Sequence, residues 1–160
     1  MVDGTSWAKL PRALKFGVQE GLTDFVVMPV QLEPKRIGED CLAGKRGDEA
    51  QDLPRLIGEA QRFFGDMDVI VIGDTDCVRD DEDQLAEFGA ERVLDVRVGD
   101  IDAFVDAKSA YDRVMVPKDQ PEFRSTQWYA LLEAETQKPE RPLSDHFLVL
   151  SPIRILADDD

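Results

Sequence analysis

One stretch, Asp68-Val69-Ile70-Val71-Ile72-Gly73-Asp74-Thr75-Asp76, limits the folds open to this chain more than any other. Val69 to Ile72 are all apolar and β-branched, and the run stops on Gly73. A short apolar run bounded by turn formers predicts a buried strand. The run does not alternate with polar residues, so both faces are expected under cover, as in a parallel sheet. In open α/β sheets, ligands bind beyond the carboxyl ends of the strands. Gly73, Asp74 and Asp76 fall at such an end and mark the first place to look for a site.

The pattern recurs twice. Arg92-Val93-Leu94-Asp95-Val96-Arg97-Val98-Gly99-Asp100 and Arg113-Val114-Met115-Val116-Pro117-Lys118-Asp119 are again Val-rich runs that close on Asp, with starts 24 and 21 residues apart. Such spacing fits successive strand–helix units with crossovers. Helices are expected between them, from the acidic start Asp80-Asp81-Glu82-Asp83 to Gly89, and from Asp100 to Ala110.

Before the central run, Leu14, Val18 and Leu22 repeat at helical spacing and predict a helix over 5–22. A strand is expected over 23–30, closing or lying at an edge because of Pro29. A second helix is expected over 50–64, with Leu53, Leu56, Ile57, Ala60 and Phe64 inward and Pro54 in its first turn. Near the end, the pattern predicts a helix over 125–137 and a strand over 146–156, broken or at an edge at Pro152. The expected fold is a single α/β domain over 1–160, a three-layer Rossmann-like or flavodoxin-like sandwich. It has about five mostly parallel strands, helices on both faces and an acidic tail at 157–160.

Charge narrows the functional classes. The net charge is −15, and Asp outnumbers Glu by 22 to 12. General binding to nucleic acid or to an anionic membrane needs basic patches, so both are disfavoured. The acidity fits solubility, adaptation to high salt, or docking on a basic protein partner. No apolar run approaches the ~20 residues of a membrane span, and the first residues do not read as a leader. The expectation is a cytoplasmic protein, with homo-oligomer formation through the 146–156 edge as a further option. Cys41 and Cys77 fit no metal spacing, and His146 is the sole histidine. Any metal is therefore expected to be a hard ion, such as Mg²⁺, held by carboxylates.

Two constellations could carry chemistry. The first is the set of strand-end acids Asp74, Asp76, Asp100 and Asp119, with Asp102 close by. Carboxylates meeting at one sheet edge can hold Mg²⁺, which can clamp a phosphoryl group or activate water. Asp after a strand also caps the next helix, so this pattern has a purely structural reading. The second is the irregular, Gly-punctuated loop 31–49, in which Lys35, Arg36, Lys45 and Arg46 outnumber Glu39 and Asp40 to give +2 over 35–46. A long loop in a small domain is usually functional or disordered. Arg offers a planar fork for phosphate, and Lys118 could reach the same ligand from its strand end. The loop is not a phosphate-binding loop of the Walker type. Five residues rather than four separate Gly38 from Gly44, and Arg46 stands where Ser or Thr would hold magnesium. Cys77 and His146 are considered as nucleophile and base, but Cys77 has no activating neighbour in sequence.

These features together predict binding of a phosphate-bearing, nucleotide-like ligand at the carboxyl edge of the sheet, extending to Mg²⁺-dependent phosphoryl transfer or hydrolysis. The alternative is a non-catalytic acidic module that docks on a basic partner, or a salt-adapted subunit.

Overall fold

The computed structural model describes residues 7–34, 36, 39–40, 43–76, 94–98, 112–118, 120–123, 129–131, 148–150 and 152–158. Its elements are β1 (Leu14–Gly17), β2 (Asp24–Gln31), α1 (Gly44–Phe64), β3 (Val69–Asp74), β4 (Leu94–Val98), β5 (Asp112–Pro117), β6 (Tyr129–Leu131) and β7 (Leu148–Leu150). A 3₁₀ turn spans Pro121–Phe123. The first five strands form one sheet in the order β1-β2-β3-β5-β4, and β6 and β7 pair antiparallel as a separate ribbon.

Strand β3 is the middle of the sheet, and its sequence reflects that position. Val69 and Val71 face α1, in a core with Val26, Met28, Val30, Leu32, Met115, Ala50, Leu53, Ile57 and Ala60. Ile70 faces the other way, against Val114, Val116 and Phe123, with Ile72, Phe25 and Ile153 at the margin. Both faces are covered, as the unbroken apolar run implied. The expected direction is not observed. Only β2 and β3 are parallel; β1–β2, β3–β5 and β4–β5 are antiparallel. The sheet is therefore mixed rather than mostly parallel. An apolar run reports burial on two faces, which any interior strand can have, and carries no information about the direction of its neighbours.

Of the helix expected over 5–22, the described residues 7–22 hold no helix: Leu14–Gly17 is β1, between irregular backbone and bends before it and a bend and turn after it. Leu14 lies in β1, Val18 in the bend after it and Leu22 at an isolated bridge to Ala157; Leu14 and Val18 are exposed, so the spacing of four marks no buried face. Trp7, at the start of the segment, is buried against α1, where its indole N–H donates to Asp52 Oδ2 at 2.8 Å. Strand β1 pairs with β2 only as far as Leu14↔Val27. The amides of Val26 and Leu32 donate to β3, at Asp68 O (2.8 Å) and Asp74 O (3.1 Å). By alternation Pro29 faces the opposite side, beyond the reach of β1, where its missing N–H leaves no gap in the ladder.

Helix α1 starts at Gly44, six residues before the expected start, so Pro54 lies inside the helix rather than in its first turn. Local propensity does not favour this early start, because Ala43 offers no side-chain cap. The added turns are held instead by buried Arg46 and Glu49, whose bonds are described below. The helix closes on Gly65, which takes the left-handed conformation (φ 65°) and donates its N–H to Gln61 O at 2.9 Å.

At the other end of the chain, the segment 152–158 runs beside the start of β2. Thr23 N donates to Leu156 O at 3.0 Å, and Leu156 N donates to Thr23 Oγ1 at 2.8 Å. Of the strand expected over 146–156, Leu148–Leu150 is strand and 152–156 is not. Of the helix expected over 125–137, the described part, Tyr129–Leu131, is strand. The helices expected over 80–89 and 100–110 lie outside the described residues. Among the described residues, no helix is long and apolar enough to cross a membrane.

Candidate functional site

The parallel pair β2–β3 has its carboxyl end at Gln31 and Asp74. Here β3 leaves the sheet through an unusual turn. Gly73 has φ 139°, and a Cβ on it would lie 2.0 Å from Val30 O. Only glycine allows the two strands to approach this closely. Asp74 follows and accepts the N–H of Asp76 on Oδ1 at 2.8 Å. Asp76 itself has φ 49°, a left-handed conformation that Asp tolerates better than most residues. The two acids are thus locked to one another at the strand end.

Across the same end lies the β2–α1 connection. It borders a cleft of about 170 Å³ lined by Glu33, Pro34, Arg36, Glu39, Ala43, Gly44, Lys45 and Arg46. Arg46 is 1% exposed and joins three parts of the site. Its Nη1 donates to Glu33 O at 3.2 Å, its Nη2 donates to Asp40 O at 2.6 Å, and Nη1 lies 3.9 Å from Asp76 Oδ2. One turn along α1, Glu49 is also buried; Oε1 accepts Ala8 N–H at 2.8 Å and Oε2 accepts Glu33 N–H at 2.7 Å. On the other side of β3, buried Arg113 donates from Nε to Thr75 Oγ1 at 3.0 Å. Two buried guanidinium groups therefore flank the end of β3, beside the acidic residues Asp74, Asp76 and Asp112.

The structure brings Arg36, Lys45 and Arg46 to one cleft and places Asp74 and Asp76 beside it. Lys118 does not join them. Because β5 is antiparallel to β3, Asp112 stands opposite Asp74, while Pro117 leads to Lys118 at the far end of the strand. Six residues at ~3.4 Å each separate Lys118 from that level by ~20 Å along the strand. Its expected reach toward the same ligand assumed a parallel β5. Lys35, Asp100 and Asp119, together with Asp102, Cys77 and His146, lie outside the described residues. Among the described residues, no three His, Cys, Asp or Glu side chains gather as a group that could hold a metal.

Four residues of this end escaped the sequence reading. Glu33 and Glu49 were not singled out. Their signal is the three-residue spacing of Arg46 and Glu49, which shares a helix face only if the helix begins before residue 46. Asp112 and Arg113 reach the site because β5 runs backward, and nothing in the sequence reports that.

The amino end of the β2–β3 pair carries a second charged group. Lys15 Nζ lies 2.7 Å from Asp24 Oδ2 and 3.3 Å from Asp66 Oδ2, and Asp66 Oδ1 accepts Asp68 N–H at 2.7 Å. Lys15 holds the Asp24 carboxyl below its ordinary pKa, whereas burial pushes that of Asp66 up. This group is at the opposite end of the sheet from the cleft.

The described architecture is that of an α/β protein with a mixed sheet and a helix packed on one face. No protein-family model and no curated protein sequence matches the chain. Among solved structures, the chain is similar to an endonuclease/exonuclease/phosphatase family protein from Bacteroides thetaiotaomicron. The TM-score is 0.46 and the identity 18%, over 84% of this chain and 51% of that one. This chain thus spans about half the length of that protein.

Proposed function

We propose that the protein binds a phosphate-bearing ligand in the cleft between the β2–α1 connection and the first turn of α1. Lys45 and Arg36 are the direct anion contacts in this reading, and Arg46 is the residue that positions the connection. The observation that carries it is the Arg46 junction. One buried guanidinium ties the cleft rim, through the Glu33 and Asp40 carbonyls, to Asp76 at the end of β3. The N-terminus of a 21-residue helix adds the positive end of its dipole, and its first turn holds no acid. Asp74 and Asp76 extend the reading to Mg²⁺-dependent phosphoryl transfer or hydrolysis. They would supply two carboxylates toward the ion, with Asp100 and Asp119 as the further candidates.

Titration calorimetry with inorganic phosphate, with and without Mg²⁺, tests the reading. A charge-assisted hydrogen bond contributes about 1.5–3 kcal/mol, so Lys45→Ala is expected to weaken phosphate binding at least ~10-fold. Asp74→Asn with Asp76→Asn is expected to abolish Mg²⁺ binding and leave the circular dichroism spectrum unchanged. Absence of binding of both inorganic phosphate and O-phosphoethanolamine by the native protein, or equal binding by Lys45→Ala, overturns it.

A further inference from the structure

Glu33 is held in an unusual way. Its N–H is bound by the Glu49 carboxylate at 2.7 Å and its C=O by the Arg46 guanidinium at 3.2 Å. Both clamps come from α1, and both side chains are buried, at 2% and 1% exposure. Burying two charges to hold one loop residue is costly unless their bonds are well made. The Glu33 side chain itself has no part in this arrangement. It is half-buried at the cleft and, among the described residues, makes no hydrogen bond or ion pair. The neighbouring carboxylate differs, because Glu39 Oε2 accepts Arg36 N–H at 3.2 Å. The Lys45 ammonium, also half-buried at the cleft, has no side-chain partner among the described residues.

A bare phosphate would meet Lys45 favourably and Glu33 unfavourably, since like charges in a partly desolvated cleft repel. A ligand that satisfies both side chains carries a hydrogen-bond donor close to its phosphate. The cleft, about 170 Å³, is smaller than the ~300–1,000 Å³ of pockets for drug-sized ligands, so the body of that ligand is small.

Resting on the phosphate-binding reading above, we propose that the cleft selects a small phosphomonoester bearing a hydroxyl or ammonium group, with Glu33 as the specificity-determining residue that accepts the donor. A ligand of the right charge but without the donor leaves Glu33 facing a phosphate alone. Sites built to accept a donor discriminate strongly against analogues that lack one.

The test compares O-phosphoethanolamine with n-propyl phosphate, which match in size and differ in the terminal ammonium. Calorimetry is run on the native protein, Glu33→Gln and Lys45→Ala, with thermal melts to confirm equal folding. The expected result is at least ~10-fold tighter binding of phosphoethanolamine by the native protein. In Glu33→Gln the two ligands bind alike, and n-propyl phosphate binds no more weakly than to the native protein. Lys45→Ala weakens both. Equal binding of the two ligands by the native protein, or an unchanged preference in Glu33→Gln, overturns the selectivity while the phosphate site stands. Binding of neither ligand overturns both.

Discussion

Replacing Gly73 by Ala tests the closest approach in the molecule. The added Cβ would sit 2.0 Å from Val30 O, 3.0 Å from Val30 C and 3.2 Å from Val30 N. All three atoms are backbone, in the strand that pairs with Gly73 in register. No side chain can rotate away, so relief requires β2 and β3 to part by about 1 Å or residue 73 to leave φ 139°. Leaving that conformation re-aims Asp74, whose carbonyl accepts Leu32 N–H at 3.1 Å. A non-glycine residue forced into such a conformation costs ~1–3 kcal/mol. Overpacking a close-packed interior costs another ~1–3 kcal/mol. The sum, about 4 kcal/mol, is a large part of the ~5–15 kcal/mol that stabilises a typical protein. With a urea m-value of ~2 kcal/mol/M, the unfolding midpoint should fall by about 2 M. Equilibrium urea unfolding followed by circular dichroism at fixed salt gives the number. A midpoint within about 0.3 M of the native value, at an unchanged m-value, would refute the clash and with it the geometry of the strand end.

Other consequences follow from named contacts. Gly58→Ala serves as the counterpart inside α1, where the new Cβ meets nothing nearer than Arg62 Nη1 at 3.9 Å; it should stabilise the protein by about 0.5–1 kcal/mol in the same urea assay. Arg46→Met removes the charged donors from the Glu33 and Asp40 carbonyls and should cost about 3 kcal/mol, with loss of phosphate binding by calorimetry. Thr23→Val leaves Leu156 N–H without its acceptor and should lower the urea-derived stability by about 1–3 kcal/mol. Burial raises the folded-state pKa of Asp66, so the folded protein binds more protons there than the unfolded chain; its contribution is fully present below the ordinary carboxyl pKa and is lost as pH rises through the folded value. Asp66→Asn should therefore melt higher than the native protein near pH 7, and the gap should narrow toward pH 4. A constant gap across that range would contradict the sign.

Much of the sheet could be read from local chemistry. Val69 to Ile72 had to be an interior strand, because four consecutive β-branched apolar residues need cover on both faces, and α1 and Phe123 provide it. The same reasoning located β2, β4 and β5. It failed where apolar spacing did not report burial. Leu14, Val18 and Leu22 repeat at helical spacing, yet Leu14–Gly17 pairs with β2, and Val18 and Leu22 lie outside that strand. It failed again at Gly44, where an uncapped helix start is sustained by Arg46 and Glu49 through bonds to residues distant in sequence. The candidate site followed the same division. Asp74, Asp76 and the basic connection were visible as residue types after strands, whereas Glu33 and Glu49 were not, because their importance lies in what holds them.

The sequence alone determined the central strand, its glycine stop and the acids beyond it, since burial and turn chemistry act over a few neighbouring residues. It also determined the charge of −15. Only the tertiary structure decided the direction of each strand. Strand direction depends on pairing between segments far apart in the chain, and apolar patterning is the same read forward or backward. That single unknown brought Asp112 and Arg113 to the site and sent Lys118 to the opposite end of the sheet.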